Sequence, residues 1–335
     1  MRAKAVQFPF PVLVTDIGGT NARFGLKATA DSPLEIVAHL RTHDYAGLGP
    51  ALAAVAQTLP QKPRSVIACG AGPVDGRYLK LTNAPWLMDG PQIAAAAGLA
   101  QGLLLNDFEA QALALPAIPA AWTRAIGPQA DGHGPRLILG PGTGLGIGAL
   151  LELDGRFMPV SSEACHMGFG PGAGDEDAVW PHLERVHGRV TTESVLSGAG
   201  LARLHKAQRI VAGLAPGDAD AASMVGRALG DTASLEAQTI RLYWRIVARF
   251  AGDMAVVFMA TGGVTLAGGI LPRIVALLDD AQFRRCFEDK APVDALAKRC
   301  ATRLITQPDA VLAGMAAIAC APARYAIDYA SRAWA

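Results

Sequence analysis

The stretch "PVLVTDIGGTNARFGLKAT", residues 11–29, opens as an unbroken apolar run, turns at Gly18 and Gly19, and resumes as an alternating stretch. An apolar run without alternation reads as a strand buried on both faces, and the alternating part can pair back on it as a hairpin. The unit is strand, glycine turn, strand. That order excludes two nucleotide folds: a Walker A loop needs G-K-[ST], and the GxGxxG dinucleotide fingerprint leads into a helix. A glycine turn between strands still suits an anion, because no Cβ blocks the approach of phosphate oxygens to backbone amides and the Thr20 hydroxyl adds a donor. Asp16 closes the first strand. Its carboxylate can face Mg²⁺ held by a polyphosphate, directly or through water, or it can start the turn by bonding the amides that follow; spacing alone leaves both readings open.

The same grammar recurs further along. "RLILG" (136–140) is a buried strand, "PGTGLG" a glycine loop and "IGALLEL" a second strand, with Asp154-Gly155 as the turn into "RFMPVS". Gly142, Thr143 and Gly144 repeat the composition of Gly18, Gly19 and Thr20, so the chain reads as a duplicated α/β architecture. Between the two units, "SVIACGAGP" is a buried strand and Asp75-Gly76 supplies a hairpin turn. "DGPQIAAAAGLA" is a helix capped by Asp89 with Pro91 in its first turn. In "GLLLNDFEAQALALPA" a strand ends at Leu105 and a helix runs from Phe108 until Pro116 stops it. Asn106 and Asp107 fall at that junction. A carboxylate there can accept the proton of a substrate hydroxyl during phosphoryl transfer, or either side chain can cap the helix.

The segment "LPAIPAAWTRAIGPQADGHGP" (115–135) reads as a hinge and surface loop, and a domain boundary is placed there. Residues 1–117 with about 312–335 form a small α/β domain, and 118–311 a larger, helix-rich one. "DEDAVWPHLERVHG", "TTESVLSGAGLARLHKAQRI" and "DTASLEAQTIRLYWRIVARFAGDMAVVF" carry helical periodicity, "GGVTLAGGI" a last strand and turn, and "PDAVLAGMAAIAC" an apolar helix that packs back on the first domain.

Composition agrees with this and narrows the partners. Of 335 residues, 51% are hydrophobic and 18% charged, with 37 glycines and 22 prolines, which suits buried strands joined by tight turns. A net charge of +1 without basic runs gives no footprint for nucleic acid or an anionic membrane, so small molecules are the expected partners. Five cysteines without a CxxC pair argue against a disulfide framework and for a reducing cytoplasm. The apolar stretch 251–270 contains Asp253 and five glycines, and reads as a buried helix, a turn and a strand rather than a membrane span.

In "SSEACHMGFGPGAGDED" (161–177), Glu163, Cys165 and His166 set an acid, a thiol and an imidazole within four residues. A structural zinc site is not expected, because no CxxC or HxxxH partner lies near. Nor is a nucleophilic Cys165, since adjacent side chains usually diverge and His166 is its neighbour.

Seven ordered motifs, "DIGGTNARFGL", "LTNAPW", "NDFEAQALALP", "GPGTGLGIG", "EACHMGFGP", "TTESVLSGAGL" and "GGVTLAGGILPR", resemble those of the bacterial glucokinases over residues 12 to 320. The resemblance implies a two-domain actin-like ATPase (ribonuclease H-like) fold with mixed sheets and an interdomain cleft. It implies transfer of phosphate from ATP to the 6-hydroxyl of D-glucose, the first step of glycolysis, by a cytoplasmic homodimer with Mg²⁺. A kinase for another hexose, or a non-catalytic sugar-binding regulator on the same fold, is the alternative. By motif, Asp107 is the general base; Asn83, Asn106, Asp107, Glu163, His166 and Glu193 hold the sugar. Gly18, Gly19, Thr20, Gly142, Thr143 and Gly144 cradle the phosphates, Gly268 and Gly269 contact the adenosine, and Asp16 holds Mg²⁺ through water. The chain departs from the family at Ala164 and Cys165, where E-G-G-H is usual.

Overall fold

The computed structural model describes residues 6–82, 84–129, 132–172, 174–217 and 220–334. In chain order the strands are β1 Val12–Ile17, β2 Asn21–Lys27, β3 Leu34–Arg41, β4 Ser65–Gly70, β5 Val74–Asp75, β6 Tyr78–Lys80, β7 Leu87–Asp89 and β8 Gln101–Asn106. They continue with β9 Thr123–Ile126, β10 Arg136–Pro141, β11 Leu145–Leu153, β12 Arg156–Ser162, β13 Val264–Leu266, β14 Thr302–Ile305 and β15 Ala333–Trp334. The α-helices begin with α1 Leu48–Thr58, α2 Gly90–Ala97, α3 Asp107–Ala114, α4 Asp175–Val179, α5 Thr192–Val195 and α6 Gly198–Val211. They end with α7 Ala221–Gly230, α8 Leu235–Val257, α9 Asp280–Glu288, α10 Asp294–Arg299, α11 Ala310–Cys320 and α12 Tyr329–Arg332. Two compact units result: Met1–Trp122 with Leu150–Val160 and Gln307–Ala335, and Thr123–Ala149 with Ser161–Thr306.

The first unit is built on a six-stranded sheet of order β15-β8-β4-β1-β2-β3. The apolar run is β1, whose Val12, Leu13 and Val14 have no exposed surface. β2 returns antiparallel to it, while β4 and β8 run parallel on its other side. That register aligns Ile17, Gly70 and Asn106 at the carboxyl ends of three strands. In open α/β sheets, ligands gather outside such ends, where neighbouring connections diverge. The apolar helix α11 packs on α3 and β1, and the antiparallel β15 pairs with β8.

A second six-stranded sheet repeats the pattern, in the order β12-β11-β10-β13-β14-β9. β10, β13 and β14 are parallel and β9 is antiparallel to β14. Both sheets therefore run from a meander of three sequential strands, through two parallel additions, to an antiparallel edge. The duplication legible in the glycine loops extends to the whole strand order.

Several local expectations shift. The presumed hinge loop contains β9, four residues that pair with β14 from Thr302↔Ile126 to Ile305↔Thr123. "DEDAVWPHLERVHG" keeps only five α-helical residues before a 3₁₀ turn, because Pro181 cannot continue the ladder. "TTESVLSGAGLARLHKAQRI" is two helices broken at Ser197, which caps the second by accepting from Gly200 N. The helix α7 had no counterpart in the sequence reading. Asp75-Gly76 is displaced by one residue: Asp75 pairs with Tyr78, leaving Gly76 and Arg77 in the turn. Asp154 and Gly155, by contrast, both take positive φ (51° and 72°), as a type I′ turn requires. Among the described residues no helix is long and apolar enough to cross a membrane.

Candidate active site

In the first unit the candidate chemistry sits at the ends of β1 and β8. Asn106 is the N-cap of α3: its Oδ1 accepts from Phe108 N and Glu109 N at 3.0 and 3.2 Å, and Glu109 Oε2 accepts from Asn106 N at 3.2 Å. This reciprocal capping box settles which side chain closes the helix. Asn106 also donates to Gly72 O at 3.1 Å, leaving one of its amide hydrogens for another partner. Asp107, relieved of capping, sits at the first helical position. Burial first, and the Asp16 carboxylate second, push its carboxyl up to about 6, against hydrogen bonds to the charged form. A carboxylate raised toward neutrality is a stronger base than an ordinary aspartate, and that is the direction proton abstraction needs.

The junction is held from behind. Arg332 grips Glu109 with two charge-assisted bonds of 2.6 and 2.7 Å and donates to Leu104 O at 2.8 Å. Trp334 on β15 lies over Gly102, where an added Cβ would come within 2.2 Å of its ring. The capping box is thereby tied to residues far along the chain.

Asp16 faces Arg23 and Cys69, because register places them directly opposite it on β2 and β4. Its Oδ2 lies 3.6 Å from Arg23 Nη1, and its Oδ1 accepts from the Cys69 thiol at 3.4 Å. Burial holds the Asp16 carboxyl above its usual value, with Arg23 and Cys69 pulling the other way and Asp309 adding to the rise. The same burial, then Asp16 and Asp107, push the Cys69 thiol well up. It is a donor here, not a nucleophile. Cys69, Arg23 and Asp309 were absent from the sequence reading. For Cys69 and Arg23 the only signal was strand register, which a single sequence does not display.

The first glycine turn closes on itself: Gly18 N donates to Asn21 O at 2.9 Å, Thr42 Oγ1 donates to Gly18 O at 2.8 Å, and Thr42 N to Thr20 O at 2.9 Å. Gly19 and Thr20 keep amides without a backbone partner among the described residues. The second loop follows suit. Gly142 N donates to Gly144 O at 2.7 Å, and Gly142 O accepts from Gly198 N at 2.9 Å, which leaves the Thr143 and Gly144 amides. Two amides without a backbone partner among the described residues and a threonine hydroxyl per loop are the donors a phosphate group asks of a glycine turn.

The second unit gathers the other polar groups. Thr191 caps the short α5, and Glu193 on its first turn accepts from Leu145 N at 2.9 Å. A Cβ on Gly144 would lie 2.5 Å from Glu193 Oε2, so glycine there makes room for the carboxylate. His166 follows on a 3₁₀ turn, its Nδ1 3.9 Å from Glu193 Oε1 and its Nε2 3.5 Å from Glu163 Oε2. Thr143, His166, Glu193, Arg189, Ser197 and Arg203 help to line a cavity of about 510 Å³. Cys165 is buried against this group, and burial, then Glu193 and Glu163, push its thiol up to about 12. It stays protonated near neutral pH, which disposes of the nucleophilic reading. Gly268 has φ +86°, and a Cβ there would meet Pro141 O at 2.3 Å, so close backbone packing already requires this glycine. Gly269 borders open space. Asn83 lies outside the described residues.

Two α/β units, each with a glycine turn between paired strands, one with a raised carboxylate at a strand end and the other with a polar cavity, define a sugar kinase of the actin-like ATPase fold. The glucokinase family model matches residues 13–322, and the chain belongs to that family. It is 38% identical over 328 residues to the glucokinase of Rhizobium etli, covering 97% of this chain and 96% of the relative. A glucokinase from an Antarctic psychrotroph superposes with a TM-score of 0.81 at 30% identity, over 92% of this chain and 98% of that one. A ROK family glucokinase from Streptomyces griseus, solved with glucose and AMPPNP, has the same fold: TM-score 0.61 at 18% identity, over 92% of this chain and 98% of that one.

Proposed function

We propose that this enzyme transfers the γ-phosphoryl group of ATP to the 6-hydroxyl of D-glucose, giving glucose 6-phosphate and ADP. The observation that carries the mechanism is Asp107: a carboxylate freed from capping by Asn106 and raised to about 6 by burial and Asp16. It accepts the proton of the attacking hydroxyl. Phosphoryl transfer passes through a loose transition state, so the remaining work is positioning and charge neutralisation. The free amides of Gly19 and Thr20, and of Thr143 and Gly144, are proposed to hold phosphate oxygens, and Gly269 to border the adenosine beside Gly268.

Sugar hydroxyls both donate and accept, so paired carboxylates, amides and imidazoles can read their positions. That role is proposed for Asn106 and Asp107 in the first unit and for Glu163, His166 and Glu193 in the second, with Asn83 added by family resemblance. Mg²⁺ prefers oxygen ligands and keeps several waters when held by one carboxylate and substrate phosphates. Asp16 fits that demand: one partly exposed carboxylate whose thiol and guanidinium neighbours leave it no protein cage. Bound there, the ion would neutralise charge on the transferring phosphate. A cytoplasmic homodimer is proposed on family resemblance, and light scattering of the purified chain checks the dimer.

A coupled assay of ADP release with Mg-ATP and a panel of hexoses tests the reading. Glucose should give the highest kcat/KM. Faster turnover of another hexose would reassign the substrate, and glucose binding without ADP release would mark a regulator.

A further inference from the structure

Residues 163–166 do something their spacing did not foretell. Cys165 and His166 were expected to diverge, but the 3₁₀ turn Ala164–His166 folds the segment back so that His166 N donates to Glu163 O at 3.0 Å. The turn carries His166 Nε2 to 3.5 Å from Glu163 Oε2, and Cys165 Sγ to 3.8 Å from the same oxygen. All three donor atoms lie within 4.8 Å of one another. Around a tetrahedral zinc ion, ordinary bond lengths put a sulfur and an oxygen ligand about 3.6 Å apart, and a nitrogen and an oxygen about 3.4 Å apart. The two pairs that share Glu163 Oε2 already stand near those separations, and the sulfur and nitrogen lie within 4.8 Å of each other.

The orientation of the imidazole is a second, independent observation. Nε2 faces Glu163 Oε2 at 3.5 Å, while Nδ1 faces Glu193 Oε1 at 3.9 Å. A carboxylate on the side of the far nitrogen is the usual support of a metal-binding histidine, and Glu193 stands on that side, close enough to engage Nδ1 through a small shift or a water. The donor set selects the ion. Sulfur, nitrogen and oxygen together suit zinc-class ions, whereas Mg²⁺ takes oxygen alone. Glu163 and His166 are 87% and 58% exposed at their side chains, so the open side can hold water as a further ligand.

We propose that Glu163, Cys165 and His166 form a site for a zinc-class divalent ion, and that an ion bound there keeps the sugar out. The second half rests on the sugar role proposed above for Glu163 and His166. Binding exchanges the S–H bond of Cys165 for a sulfur–metal bond and releases one proton to water, with no change of oxidation state. The sensitivity is particular to chains with a thiol here, since the family usually carries glycine at this position.

Co²⁺ serves as the spectroscopic probe and Zn²⁺ as the inhibitor. Titrating the full chain with Co²⁺ should raise a thiolate-to-cobalt charge-transfer band at one equivalent, absent from Cys165→Gly and from Cys165→Ser. Two replacements are used so that a folding defect in one, seen in its melting curve, leaves the other to decide. In steady state, Zn²⁺ should raise the apparent KM for glucose in the parent, and at least tenfold more Zn²⁺ should be needed in the Cys165 variants under the same Mg-ATP. No band in the parent, or an equal band in both variants, overturns the site. A band lost in the variants, with inhibition that glucose does not relieve, upholds the metal site and overturns the sugar role of Glu163 and His166.

Discussion

The two units handle their polar groups in opposite ways. At the strand ends of the first, Asp16 and Asp107 are largely buried, and burial raises both carboxyls, with Asp309 adding to the rise at Asp16 and Asp16 to that at Asp107. In the second, Glu163 and His166 stand well out in solvent and Glu193 is about one-third exposed. A raised, partly buried carboxylate costs stability and gains basicity, which is useful only where a proton is to be moved. Exposed groups on a short turn can exchange water for the hydroxyls of a ligand. The contrast fits the proposed division, with the proton moved at Asp107 in the first unit and exposed sugar contacts in the second.

The sharpest way to break that division is to remove the base. Asp107→Ala should lower kcat by about 10²- to 10⁴-fold while glucose binding by calorimetry persists; near-parental turnover would end the assignment. In the parent, kcat should fall about tenfold per pH unit below about 6, as the base becomes protonated.

The same residue should betray its cost. Burial and Asp16 push its carboxyl up to about 6, above the ordinary aspartate value of 3.8, so the folded state binds the proton more tightly than the unfolded one. Stability from this group is complete below the unfolded value and is lost as pH rises through about 6. Asp107→Asn should therefore be more stable than the parent at pH 8, by up to about 3 kcal/mol, with the gain fading between pH 6 and 4. Melting curves across that range check the sign, and a destabilised variant at pH 8 would contradict it.

The second unit should respond in affinity. Glu193→Gln keeps an acceptor for Leu145 N but loses the charge beside His166, and should cut kcat/KM for glucose roughly 5- to 150-fold, the cost of one poorly matched polar partner. A loss confined to kcat would move Glu193 into the chemistry and blur the contrast. The smallest effect is expected at Cys69. Removing the thiol donor in Cys69→Ala should raise the Mg²⁺ concentration for half-maximal activity about fivefold, the worth of one hydrogen bond of about 1 kcal/mol, with Cys69→Ser restoring most of it.

What was legible in the sequence follows from which physics is local. Hydrophobic runs, paired glycines and cap residues act over a few positions, so β1, the two glycine turns, the Asp89 cap and the β8–α3 junction could all be read directly. Whether the junction offered a base or only a helix cap was an even choice in the sequence, and the capping box on Asn106 shows that Asp107 is not the cap. Register is non-local: nothing near Asp16 in sequence announces Cys69 or Arg23, which meet it only because β4 and β2 align as they do. Strands as short as β9 and β15 carry too few residues for a period, and their identity comes from the partner they pair with. The convergence of Cys165 and His166 escaped for a related reason, since a 3₁₀ turn reverses what adjacency alone suggests.

The clasp of Arg332 on Glu109 spans 223 positions. During synthesis at roughly 5 to 20 residues per second, the strand that leads into Asp107 leaves the ribosome about 10 to 45 s before its clamp does. The second unit, complete at Thr306, is finished in between. The nascent chain therefore holds Asp107 at the end of an open edge strand, β8, for most of its translation, until β15 pairs with it.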